Sequence, residues 1–290
     1  MLSRRRLLYL QLGLLLSAAC SGQDVYIPDK FSIGVVSYGE GARSLDQYTR
    51  FKEYLEGQLK SIIELEPALN EVKALEQIQR RLWSLVFAPP GLAALAIADA
   101  QYIPLFAMEG AVNLRSLLVV LNDSPYEQLG DLNGEVVALG QRGSATGYYL
   151  PIYDLYGLTL KEVVFGSTPQ AILDLVDRGQ AAAGALSKEE FEQQKSKFDA
   201  QRFRILHTSA QTIPPGAVLI GPDVDRNRQV EIERAMQAAP PAIISEAGYI
   251  ANSSAANYDF LIEVVKRVQP IVTRIRQQPA PLYEEKEGQV

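Results

Sequence analysis

The chain has 290 residues, which suffices for one large domain or two medium ones with real cores. Its 47% apolar and 21% charged residues describe a globular protein rather than a disordered one. A net charge of −6 argues against a nucleic-acid partner, which needs a basic face, and one cysteine with one histidine excludes intramolecular disulfides and the usual zinc ligand sets. A small anion stays compatible with this charge, because donors and dipoles at close range outweigh a distant net charge.

The N-terminus carries Arg4, Arg5 and Arg6, an apolar run over residues 7–16, the small residues Ser17, Ala18 and Ala19, and then Cys20, the lone cysteine. The run is too short to span a bilayer and reads as an export signal occupying residues 1–20. It resembles a bacterial lipoprotein signal, departing from it at Ser17, and that resemblance implies lipidation of Cys20. The arginines also resemble a twin-arginine signal.

Residues 31–36 read as a buried strand that ends in a glycine-rich loop holding Tyr38. Ser44 and Gln47 form a capping-box signal for a helix with Tyr48, Phe51, Leu55 and Leu59 at helical spacing. A strand at 62–65, a helix at 74–84 with Leu75, Ile78 and Leu82 inward, a strand at 85–87, the turn at 88–91, a helix at 92–98 and a strand at 102–106 follow. Strand and helix alternate, as in a parallel α/β layer. A second cycle has strands at 115–121, 135–139, 162–165 and 181–186. Thr168 and Pro169 open one helix in cap-then-proline order, and Ser187 with Glu190 gives another capping box. Strands at 203–206 and 217–220 lead to a helical C-terminal part. From Gln277 the two prolines and scarce apolar residues predict a disordered tail over 277–290.

The segment from Leu139 to Pro151 is the centre of the functional reading. It links a strand to a helix, with Gly140 and Gly143 for a sharp turn, Gly147 for close approach, and the hydroxyls of Ser144 and Thr146 beside the first helical N–H groups. A helix N-terminus offers donors and partial positive charge, which suits a small oxyanion. A plain helix cap by Ser144 or Thr146 is the bland alternative. No lysine of the P-loop kind follows the glycines, and the only histidine, His207, has no evident serine and acid partners, so an enzyme is not expected.

Several stretches together resemble the periplasmic substrate-binding proteins of phosphonate and phosphite ABC transporters: Phe87-Ala-Pro-Pro-Gly91, Leu132-Asn-Gly-Glu-Val-Val-Ala-Leu139, Ser144-Ala-Thr-Gly-Tyr-Tyr-Leu-Pro151, Val164-Phe-Gly-Ser-Thr168, Arg178-Gly-Gln-Ala-Ala-Ala-Gly-Ala185 and Ile205-Leu-His-Thr-Ser209. The resemblance implies an α/β, two-lobed periplasmic binding protein fold (type II-like). Each lobe would be a mixed sheet flanked by helices, with the ligand cleft between them. It implies a first lobe over 31–113, a second over 114–214 and a C-terminal part, 215–276, that returns to the first. Implied partners are a small anion (phosphonate, phosphite or phosphate), an ABC permease and, through lipid, the membrane facing the periplasm; no cofactor or metal is implied. Implied ligand contacts are Ser144, Ala145, Thr146, Gly147, Tyr38, Pro90, Ser167, Thr168 and Ser187, with Arg142 and His207 read as solvated and structural. The chain departs from the family pattern at Ala145, where a hydroxyl is missing, at Thr168, where a histidine is missing, and at Ser187, where no acid stands to hold an ammonium. These departures point to a ligand without an ammonium group, or alternatively to a sensor or scaffold with a drifted site.

Overall fold

The computed structural model describes residues 30–36, 44–110, 114–199 and 201–284. Tyr38 and Cys20, with the whole of 1–20, lie outside them.

The first sheet has β1 (Lys30–Val36), β2 (Ile62–Ala68), β3 (Leu85–Ala88), β4 (Ile103–Ala107) and β11 (Ala217–Ile220) in the order β2-β1-β3-β11-β4. The second has β5 (Ser116–Leu121), β6 (Val136–Leu139), β8 (Glu162–Phe165), β9 (Ala183–Ser187) and β10 (Phe203–Thr208) in the order β10-β5-β9-β6-β8. Both sheets are mixed, as the family resemblance implied, whereas strand–helix alternation alone suggested a parallel layer. β11 runs antiparallel to β3 and β4, and β5 antiparallel to β9 and β10. These two are the strands that follow a crossing between sheets, so each enters its sheet against the local direction. The crossings themselves meet at an antiparallel bridge between Leu114 and Ile213. Arg115 braces the same place, donating to the carbonyls of Ser209 (2.9 Å) and Ala210 (3.0 Å).

Alternation sets the packing of the first sheet. Leu85 and Phe87 of β3 and Val218 and Ile220 of β11 face one apolar cluster, while Val86, Ala88, Ala217 and Leu219 face another. Helices cover both faces, as such two-sided burial requires. On one side lie α1 (Thr49–Leu59), α7 (Arg226–Gln237) and α8 (Pro241–Ala247), and on the other α2 (Glu71–Gln79) and α3 (Pro90–Ala100). α3 is apolar nearly all round and almost wholly buried, because α2, the sheet and α9 (Asp259–Val268) enclose it. The second sheet carries α4 (Leu150–Asp154), α5 (Pro169–Asp177) and α6 (Lys188–Gln194). α9 touches both α3 and α4, and one apolar cluster runs through both lobes at this junction. Just before α9, the buried Tyr258 hydroxyl donates to the Pro215 carbonyl in the return crossing, and burial pushes its phenol pKa well up, keeping the donor proton in place.

Two local expectations change. α2 begins three residues early because Asn70 caps it by accepting from the Lys73 N–H (3.0 Å), and it ends at Gln79, with Arg81 at φ +55°. Leu82 therefore lies outside the helix and is exposed. The tail expected to be disordered from Gln277 is ordered through residue 284. β12 (Ala280–Pro281) pairs with β7 (Thr159–Leu160), and Ala280 and Leu282 are wholly buried. Two buried side chains anchor a stretch whose average composition is polar. Residues 285–290 lie outside the described part.

Candidate functional site

β6, β8 and β9 are mutually parallel, so their carboxyl ends lie side by side. Ligands in open α/β sheets collect at such ends. Here Leu139, Phe165 and Ser187 each pass into a loop or cap, and a cavity of about 140 Å³ opens among Ser144, Gly147, Ser167, Thr168 and Glu190. An engineered cavity of about 150 Å³ takes benzene, so this one has room for a tetrahedral oxyanion.

The turn after β6 is built by glycine geometry. Gly143 has φ +99°, the Gly140 N–H donates to the Gly147 carbonyl (2.8 Å), and a Cβ on Gly147 would stand 3.3 Å from the Gly140 Cα. Ser144 caps the π-turn Ala145–Tyr149 by accepting from the Gly147 N–H at 2.9 Å. This N–H is thereby occupied within the turn. Ser116 donates to the Thr146 carbonyl (2.6 Å), tying the turn to β5. Tyr149 and Gly143 meet the first lobe directly: a Cβ on Gly91 would lie 2.2 Å from the Gly143 carbonyl oxygen and 3.3 Å from the Tyr149 ring. Pro90 is the first residue of α3, so the turn of one lobe sits on the turn of the other.

Of the residues singled out from the sequence, Ser144, Gly147, Ser167 and Thr168 line one cavity. Thr168 also caps α5, accepting from the Ala171 N–H at 3.1 Å. Ala145 and Thr146 are wholly buried and line neither this cavity nor its neighbour. Ala145 belongs to the apolar cluster, where a hydroxyl would need a partner, so its missing hydroxyl is explained by packing. Pro90 is buried at the start of α3 and Ser187 is buried as the cap of α6, and neither lines the cavities. His207 faces Asp154 at 3.2 Å, apart from both cavities.

The sequence places Glu189 and Glu190 near the position that lacks an acid, but not on the cavity. The capping box at Ser187 folds the Glu190 side chain back so that its Oε2 accepts from the Ser187 N–H at 2.7 Å. The carboxylate thus stands at the strand end, on the cavity wall, one helical turn from where an acid was found lacking. An ammonium group on a ligand in this cavity would therefore meet a carboxylate.

A second, larger cavity of about 410 Å³ adjoins the first, sharing Gln141, Gly166 and Ser167. Leu69 and Val72 bring the first lobe to it, Arg142, Tyr148 and Phe165 the second, and Val272 and Arg276 the C-terminal segment. Arg142 is exposed, as expected, but on the rim of this cavity.

Residues 33–256 match the family of periplasmic substrate-binding proteins of phosphonate ABC transporters. The chain belongs to this family. Its members bind a solute and hand it to a transporter, so the chain is a binding protein of an importer and not an enzyme. Similar solved structures agree on the fold. One from Xanthomonas citri, bound to ATP, has a TM-score of 0.70 at 19% identity, covering 84% of this chain and 99% of that one. A Prochlorococcus marinus protein in complex with methylphosphonate has a TM-score of 0.61 at 18% identity, covering 84% and 100%. A binding-protein component of a phosphonate transporter from Pseudomonas aeruginosa has a TM-score of 0.58 at 14% identity, covering 86% and 88%. The architecture is the two-lobed periplasmic binding protein fold.

Proposed function

We propose that this importer component binds a small phosphorus oxyanion (phosphonate, phosphite or phosphate) at the carboxyl ends of β6, β8 and β9, under the first-lobe turn at Pro90 and Gly91. The observation that carries the reading is the convergence of Ser144, Gly147, Ser167 and Thr168 on one oxyanion-sized cavity. Ligand admission requires the Gly91 and Gly143 turns to part, which also uncovers Ala145 and Thr146. The lobes are proposed to divide at about residues 113–114 and 214–215, beside the Leu114–Ile213 bridge.

Hydrogen bonds to a charged acceptor contribute about 1.5–3 kcal/mol each. Removing one hydroxyl should therefore weaken binding by roughly 10- to 150-fold. Calorimetry on the full chain with phosphate, phosphite, methylphosphonate and 2-aminoethylphosphonate tests this. Ser144→Ala is expected to lose at least tenfold on whichever anion binds best; full retention would remove the turn from the site. Should 2-aminoethylphosphonate bind best, Glu190→Gln is expected to erase its advantage. Absence of binding by every anion would favour a sensor or scaffold.

The export signal at 1–20, the lipid on Cys20 and the resulting attachment to the membrane facing the periplasm complete the proposal. Several acyl chains anchor firmly where one is marginal. Mass spectrometry of the exported protein should find a lipidated Cys20 as first residue; an unmodified N-terminus upstream of it would refute the anchor.

A further inference from the structure

We propose that the ligand is a phosphate or phosphonate ester bearing a flat apolar group, which the larger cavity holds between Tyr148, Phe165, Leu69 and Val72 under the guanidinium groups of Arg142 and Arg276. The proposal rests on the oxyanion reading above and names the substituent that reading leaves open.

A bare oxyanion fills the 140 Å³ cavity and has no use for the adjoining 410 Å³, which is a volume typical of pockets for larger organic ligands. The lining of that space is of two kinds. Leu69 is 74% exposed, Val72 60% and Phe165 46%, and these side chains from opposite lobes border one hollow. Single exposed apolar residues need no account, but a group converging on a concavity marks a binding surface. Phe165 also lies near-parallel to the buried Tyr148 ring, at 30° with centroids 6.3 Å apart. It extends a flat aromatic surface towards the opening, on which a planar group can stack. The other kind is cationic. Arg142 and Arg276 border the cavity. Guanidinium groups suit phosphate oxygens bidentately and stack on planar groups. The small cavity has the opposite sign at Glu190, so extra negative charge on the ligand is best placed outward, on the arginines.

The shared wall gives the order of parts. Gln141, Gly166 and Ser167 border both cavities, and Gln141 donates from its side-chain amide to the Ser167 carbonyl (2.9 Å). The phosphorus group on Ser144 and Ser167 would leave its ester oxygen facing the larger space.

Calorimetry on the full chain with AMP, 4-nitrophenyl phosphate, inorganic phosphate, methylphosphonate and 2-aminoethylphosphonate tests the inference. The two aromatic esters are expected to bind at least tenfold more tightly than the three small anions. In Phe165→Ala and, separately, Arg276→Ala, the ratio of ester to inorganic phosphate affinity is expected to fall towards one. Small anions binding as tightly as the esters would overturn the inference and leave the oxyanion reading standing. Esters that bind tightly with an unchanged ratio in both variants would overturn the assigned cavity. No binding by any of the five would overturn the oxyanion reading and the inference with it.

Discussion

Phe87→Ala is expected to destabilise the protein by about 3–5 kcal/mol, a large share of the roughly 5–15 kcal/mol that holds a domain together. Phe87 is 1% exposed in β3, the strand between β1 and β11. Its ring packs edge-on against Tyr48 (4.8 Å), Phe51 (5.4 Å) and, more loosely, Tyr249 (6.3 Å). These partners come from the 3₁₀ turn before α1, from α1 itself and from the segment after α8, so removal of one ring opens a cavity at the meeting point of distant segments. Neighbours anchored on three elements collapse poorly into such a void, which places the loss in the upper part of the range for large-to-small changes. Urea unfolding followed by tryptophan fluorescence should show the midpoint falling at unchanged slope. Phe165→Ala, at a half-exposed position, should cost far less. Equal losses in the two variants would show that the aromatic cluster is not the anchor of the first lobe.

Most of the fold could be read from the sequence because its information is local. The strands around Ile33, Val86, Val119 and Val137 are short apolar runs bounded by turn residues, and such runs have little alternative but burial. Strand direction is a different matter. Nothing in the residues of β5 or β11 distinguishes an antiparallel insertion from a parallel one; the crossings at Leu114 and Ile213 decide it. The tail misled for a related reason. Ala280 and Leu282 are buried amid prolines and polar residues, and two apolar side chains do not shift the average of a fourteen-residue window.

The site divides along the same line. The glycines and Ser144 of the β6 turn are contiguous, and their chemistry is legible in order. Thr146 stood out beside them because sequence shows a hydroxyl but not which way it faces, and it is wholly buried. Glu190 was half-visible: the capping box was recognised, and the fold-back of its carboxylate over the cap is a consequence of that motif that needs the strand end to acquire meaning. The larger cavity had no sequence signal. Its walls come from residues near 70, 142, 165 and 276, which only the packing of the two lobes and the return of the C-terminal segment bring together.

Gly91→Val is expected to hold the lobes apart and to weaken oxyanion binding by about 5- to 150-fold. The position is the second residue of α3, where the backbone of one lobe rests on the carbonyl of Gly143 in the other. A Cβ there would lie 2.2 Å from that oxygen, far inside van der Waals contact, and both partners are backbone, so no side-chain rotation relieves it. Overpacking of this kind costs about 1–3 kcal/mol. If the two lobes close on the ligand, the strain falls on the closed state alone, because parting the two turns removes it. Apparent affinity then drops by the change in the closed population, about 5-fold for 1 kcal/mol and 150-fold for 3 kcal/mol. Stability should change little by comparison, since the open lobes keep their cores. Small-angle scattering gives the independent reading. The unaltered protein should compact when saturated with its best ligand, and Gly91→Val should remain extended under the same conditions. If the variant compacts and binds like the parent, the contact between Gly91 and Gly143 is no part of closure, and the oxyanion is held by the second lobe alone.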